Sequence, residues 1–390
     1  MKTTPLHPWH KAQGARFASF AGFDMPIQYN SAVEEHKLCR RSVGLFDTSH
    51  MGRFLLYGEG AGNGLSALVS ASILDMKTGE ARYSLILNEQ GTVIDDIFIY
   101  RIGSNGYSDP WFIVVNAGNR DKDFAWFSEK LPHGVFLEDL SEKICMIAVQ
   151  GPKSIDLLEK IAAPASDNSL LPGAPEASAS SDSKVVASIK RSFLARLSLA
   201  GVTVVAGHTG YTGEDGVELY YSADKAAFIW ETILSKAEKG GIEAGPVGLA
   251  ARDSLRFEAG MPLYGHEISE EITPNEALLS WACDFSKEFT GKEKLLTQKE
   301  AGLKRKLVTL NVTGGVPREN YYVLNTEGKQ IGKVASGMFC PTAGTYSANA
   351  FVPPEYTTVG TRLKVEIRGT AKDAEIIKRP LFVPVYRRKL

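Results

Sequence analysis

Two adjacent carboxylates, Asp95 and Asp96, stand inside VIDDIFIY, residues 93–100, among otherwise apolar and aromatic side chains. Side chains alternate along a strand, so Ile94, Asp96, Phe98 and Tyr100 share one face and Asp95, Ile97 and Ile99 the other. One acid is therefore expected to meet an apolar surface or a cavity, where a polar group without a partner costs roughly 2–7 kcal/mol. An edge strand with one solvated acid, an acid held by a buried arginine and a catalytic carboxylate all fit this stretch. A second embedded acid, Glu218, follows the glycine run of HTGYTGEDGVELYY and shares a strand face with Tyr220. That run is neither a Walker loop nor a dinucleotide fingerprint, because a strand follows it and no Gly-Lys-Ser/Thr is present. Its glycines suit a hairpin with positive φ, or a backbone shaped for the close approach of a ligand. A third feature is LAARDSLRFEAG, where Arg252 and Arg256 lie four residues apart on one helix face; an exposed pair, with Asp253 partnering Arg256 at i, i+3, fits it as well as a ligand contact does. Together these residues suggest a pocket of Asp, Glu, Arg, Asn and Tyr for a polar aromatic ligand carrying carboxylates. Residue types and spacing leave that ligand unnamed.

The elements that carry these groups are legible in outline. SAVEEHKLCRR, residues 31–41, has helical spacing, and SVGLFDTSHMGRFLLYG reads as loop and then strand. RYSLIL, the turn NEQG and TVIDDIFIYR make a hairpin over 82–101, and WFIVVN is a strand ending at Asn116. A helix follows with Asn119 at its N-cap position, then the strand CMIAVQG and a helix, PKSIDLLEKIAA, with proline in its first turn. Residues 164–184 are rich in Ser, Ala and Pro and predict a mobile surface loop. AGVTVVAGHTGYTGEDGVELYY is strand, turn, strand; KAAFIWETILSKAEK and GPVGLAARDSLRFEAG are helices closed by glycine. From about residue 300 the pattern is β and predicts a small barrel.

At 390 residues with 44% hydrophobic side chains, the chain has material for two or three domains. A formal net charge of −1 argues against a general nucleic-acid binder, although Lys304–Lys306 and Arg387–Lys389 are local basic clusters. The four cysteines are scattered without a CxxC pair and the seven histidines without a tight pair, so neither a zinc site nor a disulfide scaffold is expected. No apolar run is long enough to span a bilayer, and MKTTPLHPWHKAQG reads as neither signal nor transit segment.

DMPIQYNS, SVGLFDTSHMG, RYSLILNEQGTVIDD, VVNAGNRDKDF, GYTGEDGVE, GLAARDSLRFEAGMPLYG and TPNEALLSW occur in this order along the chain. This set closely resembles the glycine cleavage T-protein family, the tetrahydrofolate-dependent aminomethyltransferases, from near residue 4 to beyond Pro380. The resemblance implies an α+β fold in a three-part clover leaf around a folate cavity. Two interleaved α+β subdomains would occupy 1–285, with the loop 164–184, and a β-barrel 286–390. It implies that Asp96 faces the reactive nitrogens of folate, leaving Asp95 structural or solvated. Met51, Tyr83, Tyr100 and Asn116 match cavity positions, and Glu218 matches the acid that holds the pterin edge, with Tyr211 beside it. Arg252 and Tyr386 match further ligand contacts. Departures are Phe23 where the family often has Trp, Cys340 where Ser is usual, and the added segment 164–184.

The implied substrate is an aminomethyl group on the dihydrolipoyl arm of the H-protein. Ammonia leaves, and the methylene passes to tetrahydrofolate as the only cofactor, without a metal. Positive charge develops on the methylene–nitrogen unit as the thiolate departs, and a carboxylate already in place would stabilise it. Asp96 is assigned this role, with proton transfer as a second duty. The expected partners are the lipoylated H-protein and, indirectly, the P- and L-proteins, with neither nucleic acid nor membrane. The expected compartment is the bacterial cytoplasm, or the mitochondrial matrix after loss of a transit peptide. A stand-alone tetrahydrofolate-dependent demethylase and a non-catalytic folate-binding iron–sulfur assembly protein are the alternatives of the same fold. The joint presence of Asp96, Asn116, Glu218 and Arg252 counts against the second.

Overall fold

The structure, a computed structural model, describes residues 1–165, 170–171, 173–178 and 184–383. The chain forms two compact units, each assembled from several segments. The first comprises Met1–Ser66, Ile73–Tyr83 and Ile97–Asp253; the second comprises Ala67–Ser72, Ser84–Asp96 and Ser254–Leu390. The residues from Ser254 to 285 therefore go with the barrel, whereas the expected division placed them before its boundary.

In the first unit a seven-stranded sheet runs in the order Ala162–Pro164, Leu194–Leu199, Val202–Gly207, Gly216–Ser222, Ile144–Gln150, Val43–Asp47, Ala244–Pro246. Only the last pair is parallel. Trp230, Ile229 and Ile233 of the helix Ala226–Lys239 pack against the apolar side chains of this sheet. A second sheet has the order Ala81–Leu87, Val93–Arg101, Trp111–Val115, Gly52–Gly58, Val135–Asp139. Tyr100, Phe112, Met146, Val205 and Tyr220 form another buried cluster. The strand Val93–Arg101 begins in the second unit and ends in the first.

In the second unit six strands close a barrel in the order Lys306–Val312, Thr345–Val352, Gln330–Cys340, Tyr322–Leu324, Arg362–Ile367, Thr370–Ile377. One buried carboxylate ties the segment after the helix Leu249–Glu258 to the barrel. Glu267 accepts from Arg256 Nη1 at 2.9 Å, Leu263 N at 3.0 Å, Asn349 Nδ2 at 2.8 Å, and the Ser336 hydroxyl. The α+β class with a C-terminal barrel agrees with the sequence reading.

Several local expectations need correction. Val43–Asp47 is a strand, not a loop; all five residues are buried because neighbours flank it on both edges, so no alternation appears in the sequence. The helix expected over 152–163 covers only Ser154–Glu159, with Pro152 before it, and Ala162–Pro164 turns into a sheet edge. Asn119 occupies the N-cap position of Arg120–Lys130, but its side chain makes no capping hydrogen bond. The segment 164–184, read as a mobile loop, is packed in part where it is described: Leu171, Ala174 and Ala177 are buried, Pro164, Glu176, Ser178 and Lys184 are exposed, and the backbone of Glu176 pairs with that of Arg196. Small residues suffice there because the two backbones meet, the Gly103 N–H donating to the Gly173 carbonyl at 2.6 Å. Thr345–Val352, whose alanines and serine gave no β signal, is a fully paired barrel strand.

Candidate active site

In the first unit Glu218 stands on the strand Gly216–Ser222, opposite Gly207 on one side and Ala148 on the other. Its neighbour is Thr209, whose Oγ1 donates to Glu218 Oε2 at 2.5 Å. The Tyr100 hydroxyl lies 3.1 Å from Thr209 Oγ1 and 3.2 Å from the Tyr220 hydroxyl. Burial pushes the Glu218 carboxyl up from its ordinary value, against the Thr209 hydrogen bond and the positive charge of Arg252. The Arg252 guanidinium lies 4.7 Å from the centre of the Tyr211 ring, within cation–π range. Glu218 and Tyr211 of one stretch, with Tyr100 and Arg252 of two others, thus belong to one neighbourhood.

The glycines of HTGYTGEDG serve packing and chain reversal. Gly213 and Gly216 have φ of +78° and +153°, and a Cβ at Gly216 would come within 2.3 Å of the Val149 carbonyl oxygen. A Cβ at Gly210 would lie 2.0 Å from Gln150 Oε1. That glutamine holds the turn, donating to the Thr209 carbonyl at 3.1 Å and accepting from Thr212 Oγ1 at 2.9 Å. The internal contacts account for these glycines without a ligand.

The loop bearing Met51 is fixed by an arginine that the sequence reading passed over. Arg53 is fully buried, and its Nη1 donates to the carbonyls of Ser49 at 3.0 Å and Met51 at 2.6 Å. Its second terminal nitrogen donates to the Ser141 carbonyl. Burial lowers its guanidinium to about 10. Met51 packs against the cluster containing Tyr100 and Tyr220. Between these two residues of the loop, His50 is buried against Phe20 and Phe23, with ring centroids at 5.6 and 6.3 Å. Neither imidazole nitrogen has a hydrogen-bond partner among the described residues. Burial first, and then the charge of Arg252, depress its pKa to about 3.

The remaining expected residues are distributed as follows. Tyr83 is half-buried, edge-on to Phe98 at 5.8 Å. Asn116 is half-buried, and its carbonyl accepts from Asn119 N at 3.0 Å. Tyr100 has no exposed surface and stands behind Glu218 through Thr209, so it does not itself line an open cavity. Asp96 belongs to the second unit and is partly accessible, whereas Asp95 is fully buried, so Asp95 is not solvated. Tyr386 lies outside the described residues. Thr209 was missed, since a lone threonine beside glycines carries no chemical signal until its strand partner is known.

The chain matches the profile of the GCVT N-terminal domain over residues 6–287 and that of the glycine cleavage T-protein C-terminal barrel domain over 305–382. It belongs to the glycine cleavage T-protein family. A relative from Symbiobacterium thermophilum named aminomethyltransferase is 38% identical over 397 residues, covering 100% of this chain and 99% of that protein. Another of that name, from Desulfitobacterium hafniense, is 39% identical over 381 residues, covering 97% of each. Among solved structures, the glycine cleavage system aminomethyltransferase T of Bartonella henselae superposes with a TM-score of 0.83. It is 30% identical, with 98% of both chains covered. The T-protein family fold includes the closed barrel and the mixed sheets described above, and no helix among the described residues is long and apolar enough to cross a membrane.

Proposed function

We propose that this chain is the aminomethyltransferase of a glycine cleavage system, moving the methylene of aminomethyl-dihydrolipoyl H-protein to tetrahydrofolate with release of ammonia. The observation that carries the ligand is Glu218, an acceptor carboxylate held by Thr209 beside the Arg252–Tyr211 stack. These residues fit tetrahydrofolate. Its pterin ring offers adjacent N–H donors to a carboxylate, a charge-assisted pairing. Oε2 retains acceptor capacity after receiving Thr209, because a carboxylate has about four lone-pair positions. Tetrahydrofolate, when bound, supplies the nucleophilic nitrogens that take up the methylene.

The roles of the chain's own residues follow from this reading. Glu218 and Arg252 bind and orient the ring, with Tyr211 fixing the guanidinium plane. Met51, Tyr83 and Asn116 form walls, and Tyr386 is a further contact. Asp96 stabilises the cation that develops as the thiolate leaves, and its partial accessibility on the strand Val93–Arg101 supports that role. Its carboxylate also accepts the proton of the reacting nitrogen. The partner is the lipoylated H-protein, the P- and L-proteins acting upstream and downstream of it, in the cytoplasm of a bacterium.

The test is a release assay with aminomethyl-loaded H-protein and tetrahydrofolate, measuring ammonia and 5,10-methylene-tetrahydrofolate together. Stoichiometric formation of both is expected. Formation of neither, or methyl transfer from an O-, N- or S-methyl donor in their place, would overturn the reading in favour of the demethylase or binding-protein alternatives.

A further inference from the structure

The hydroxyls behind Glu218 have only one consistent arrangement of protons. Thr209 has a single hydroxyl hydrogen, and it is committed to Glu218 Oε2 at 2.5 Å. At the 3.1 Å contact the Tyr100 hydroxyl must therefore donate to Thr209 Oγ1. The one proton of Tyr100 is then used, so at 3.2 Å the Tyr220 hydroxyl donates to Tyr100. Tyr100 and Tyr220 are both fully buried, and burial raises both phenols from their ordinary values, so each keeps its proton near neutrality. Each donated bond polarises the next, strengthening the last one at the carboxylate. Were Glu218 protonated with its proton on Oε2, that bond would have to reverse and the Thr209 hydrogen would need another acceptor.

We propose that Tyr220, Tyr100 and Thr209 form a one-way hydroxyl chain that holds Glu218 as an acceptor-only carboxylate, making Thr209 and Tyr100 positioning residues that select ligands with paired N–H donors. This deepens the folate reading and rests on it. A ligand presenting a hydrogen-bond acceptor at that edge meets only lone pairs and is rejected, because acceptor against acceptor in a desolvated site leaves both unsatisfied. Gly207 belongs to the same device. A Cβ there would stand 3.2 Å from both the Thr209 and the Tyr100 hydroxyl oxygens, crowding the link between them.

The experiment uses the full chain and tetrahydrofolate affinity measured by calorimetry from pH 5 to 9, for wild type, Thr209→Val, Thr209→Ser, Tyr100→Phe and Glu218→Gln. The probe for selectivity is the analogue in which a methyl group replaces the 2-amino donor. Thr209→Val is expected to move the acid midpoint of binding up by about one pH unit, because the carboxylate loses its strongest donor. It is also expected to reduce discrimination against the analogue about tenfold. Thr209→Ser should restore both, and Tyr100→Phe should shift the midpoint the same way by less. A Thr209→Val profile that superimposes on wild type, while Glu218→Gln weakens binding more than tenfold, would overturn the chain and leave the Glu218 reading intact. Unchanged binding in Glu218→Gln would overturn both. Should Thr209→Val fail to fold, the Tyr100→Phe midpoint decides, and an unmoved midpoint there overturns the proposal.

Discussion

His10 Nε2 lies 3.0 Å from a carboxylate oxygen of Asp47, and neither side chain has exposed surface. The same carboxylate receives the Thr4 hydroxyl at 2.5 Å and the Ser49 N–H at 2.9 Å, while His10 Nδ1 meets the Tyr29 hydroxyl at 2.8 Å. The helix His7–Ala12, Tyr29 just after the strand Phe23–Gln28, and the strand Val43–Asp47 are thereby joined around one buried acid. Burial alone would push Asp47 up, but the His10 contact, Thr4 and Ser49 outweigh it and leave its pKa at about 2.

Because the folded value is depressed, the stabilisation by Asp47 is complete above its unfolded pKa and is lost as pH falls through about 2. Wild-type melting temperature should therefore fall steeply between about pH 4 and 2. Asp47→Asn should cost about 3 kcal/mol or more at pH 7, by leaving His10 without its buried carboxylate, and should flatten that acid limb. Calorimetric melts across the range check both, and an Asp47→Asn acid limb parallel to wild type would refute the assignment.

His50 behaves with the opposite residue type but the same sign. Its folded pKa of about 3 lies below the ordinary histidine value, so the unfolded chain binds the proton first and stability falls as pH drops from about 6.5 toward 3. His50→Phe keeps the aromatic contacts with Phe20 and Phe23 and removes two buried nitrogens without partners. We expect a gain of roughly 1–3 kcal/mol at pH 5. A melting temperature lower than wild type at that pH would show that the ring is satisfied or that the larger phenyl does not fit.

The proposed roles of Asp95 and Asp96 divide structure from chemistry on one strand. Asp96→Asn should keep tetrahydrofolate affinity within about tenfold, under ~1.4 kcal/mol, while turnover falls far more. Asp95→Asn, at a fully buried position, should lower the melting temperature and retain most of the turnover. Equal losses of turnover in the two variants would contradict this division.

Glu267 tests the second unit. Glu267→Ala leaves the buried Arg256 guanidinium, whose partner contact is 2.9 Å, without its counter-charge, and should destabilise by about 3–5 kcal/mol. Glu267→Met, which removes the charge but preserves volume, should be nearly as costly while Arg256 is present. Chemical denaturation of both variants measures this, and a loss below ~1 kcal/mol would show the pair to be dispensable.

Periodicity carried most of the fold: the hairpin 82–101, the helices and the presence of a barrel were legible because one face of each is apolar. Val43–Asp47 and Thr345–Val352 were not, the first because a central strand is buried on both faces, the second because alanine and serine pack well in a narrow barrel yet read as neutral. At the site, Glu218 with Tyr220 and Arg252 could be singled out from spacing, and the family resemblance supplied the rest. Thr209 and Arg53 act through backbone and hydroxyl contacts with residues distant in sequence, which no spacing encodes. Arg252 and Arg256 illustrate the limit. They share a helix, yet one stacks on Tyr211 in the first unit and the other pairs with Glu267 in the second.

The interleaving of the two units has a consequence for synthesis on the ribosome. All segments of the first unit have emerged once Asp253 is out, whereas the second needs Ala67–Ser72 and Ser84–Asp96, made early, to wait for Thr370–Ile377 to close the barrel. For more than a hundred codons these two early stretches wait in a chain whose first unit is already complete. A nascent-chain arrest series should then show protease resistance of the first unit appearing well before the strand Val93–Arg101 is protected along its full length. Completion of the barrel codons therefore sets the earliest moment at which that strand can be guarded at both ends.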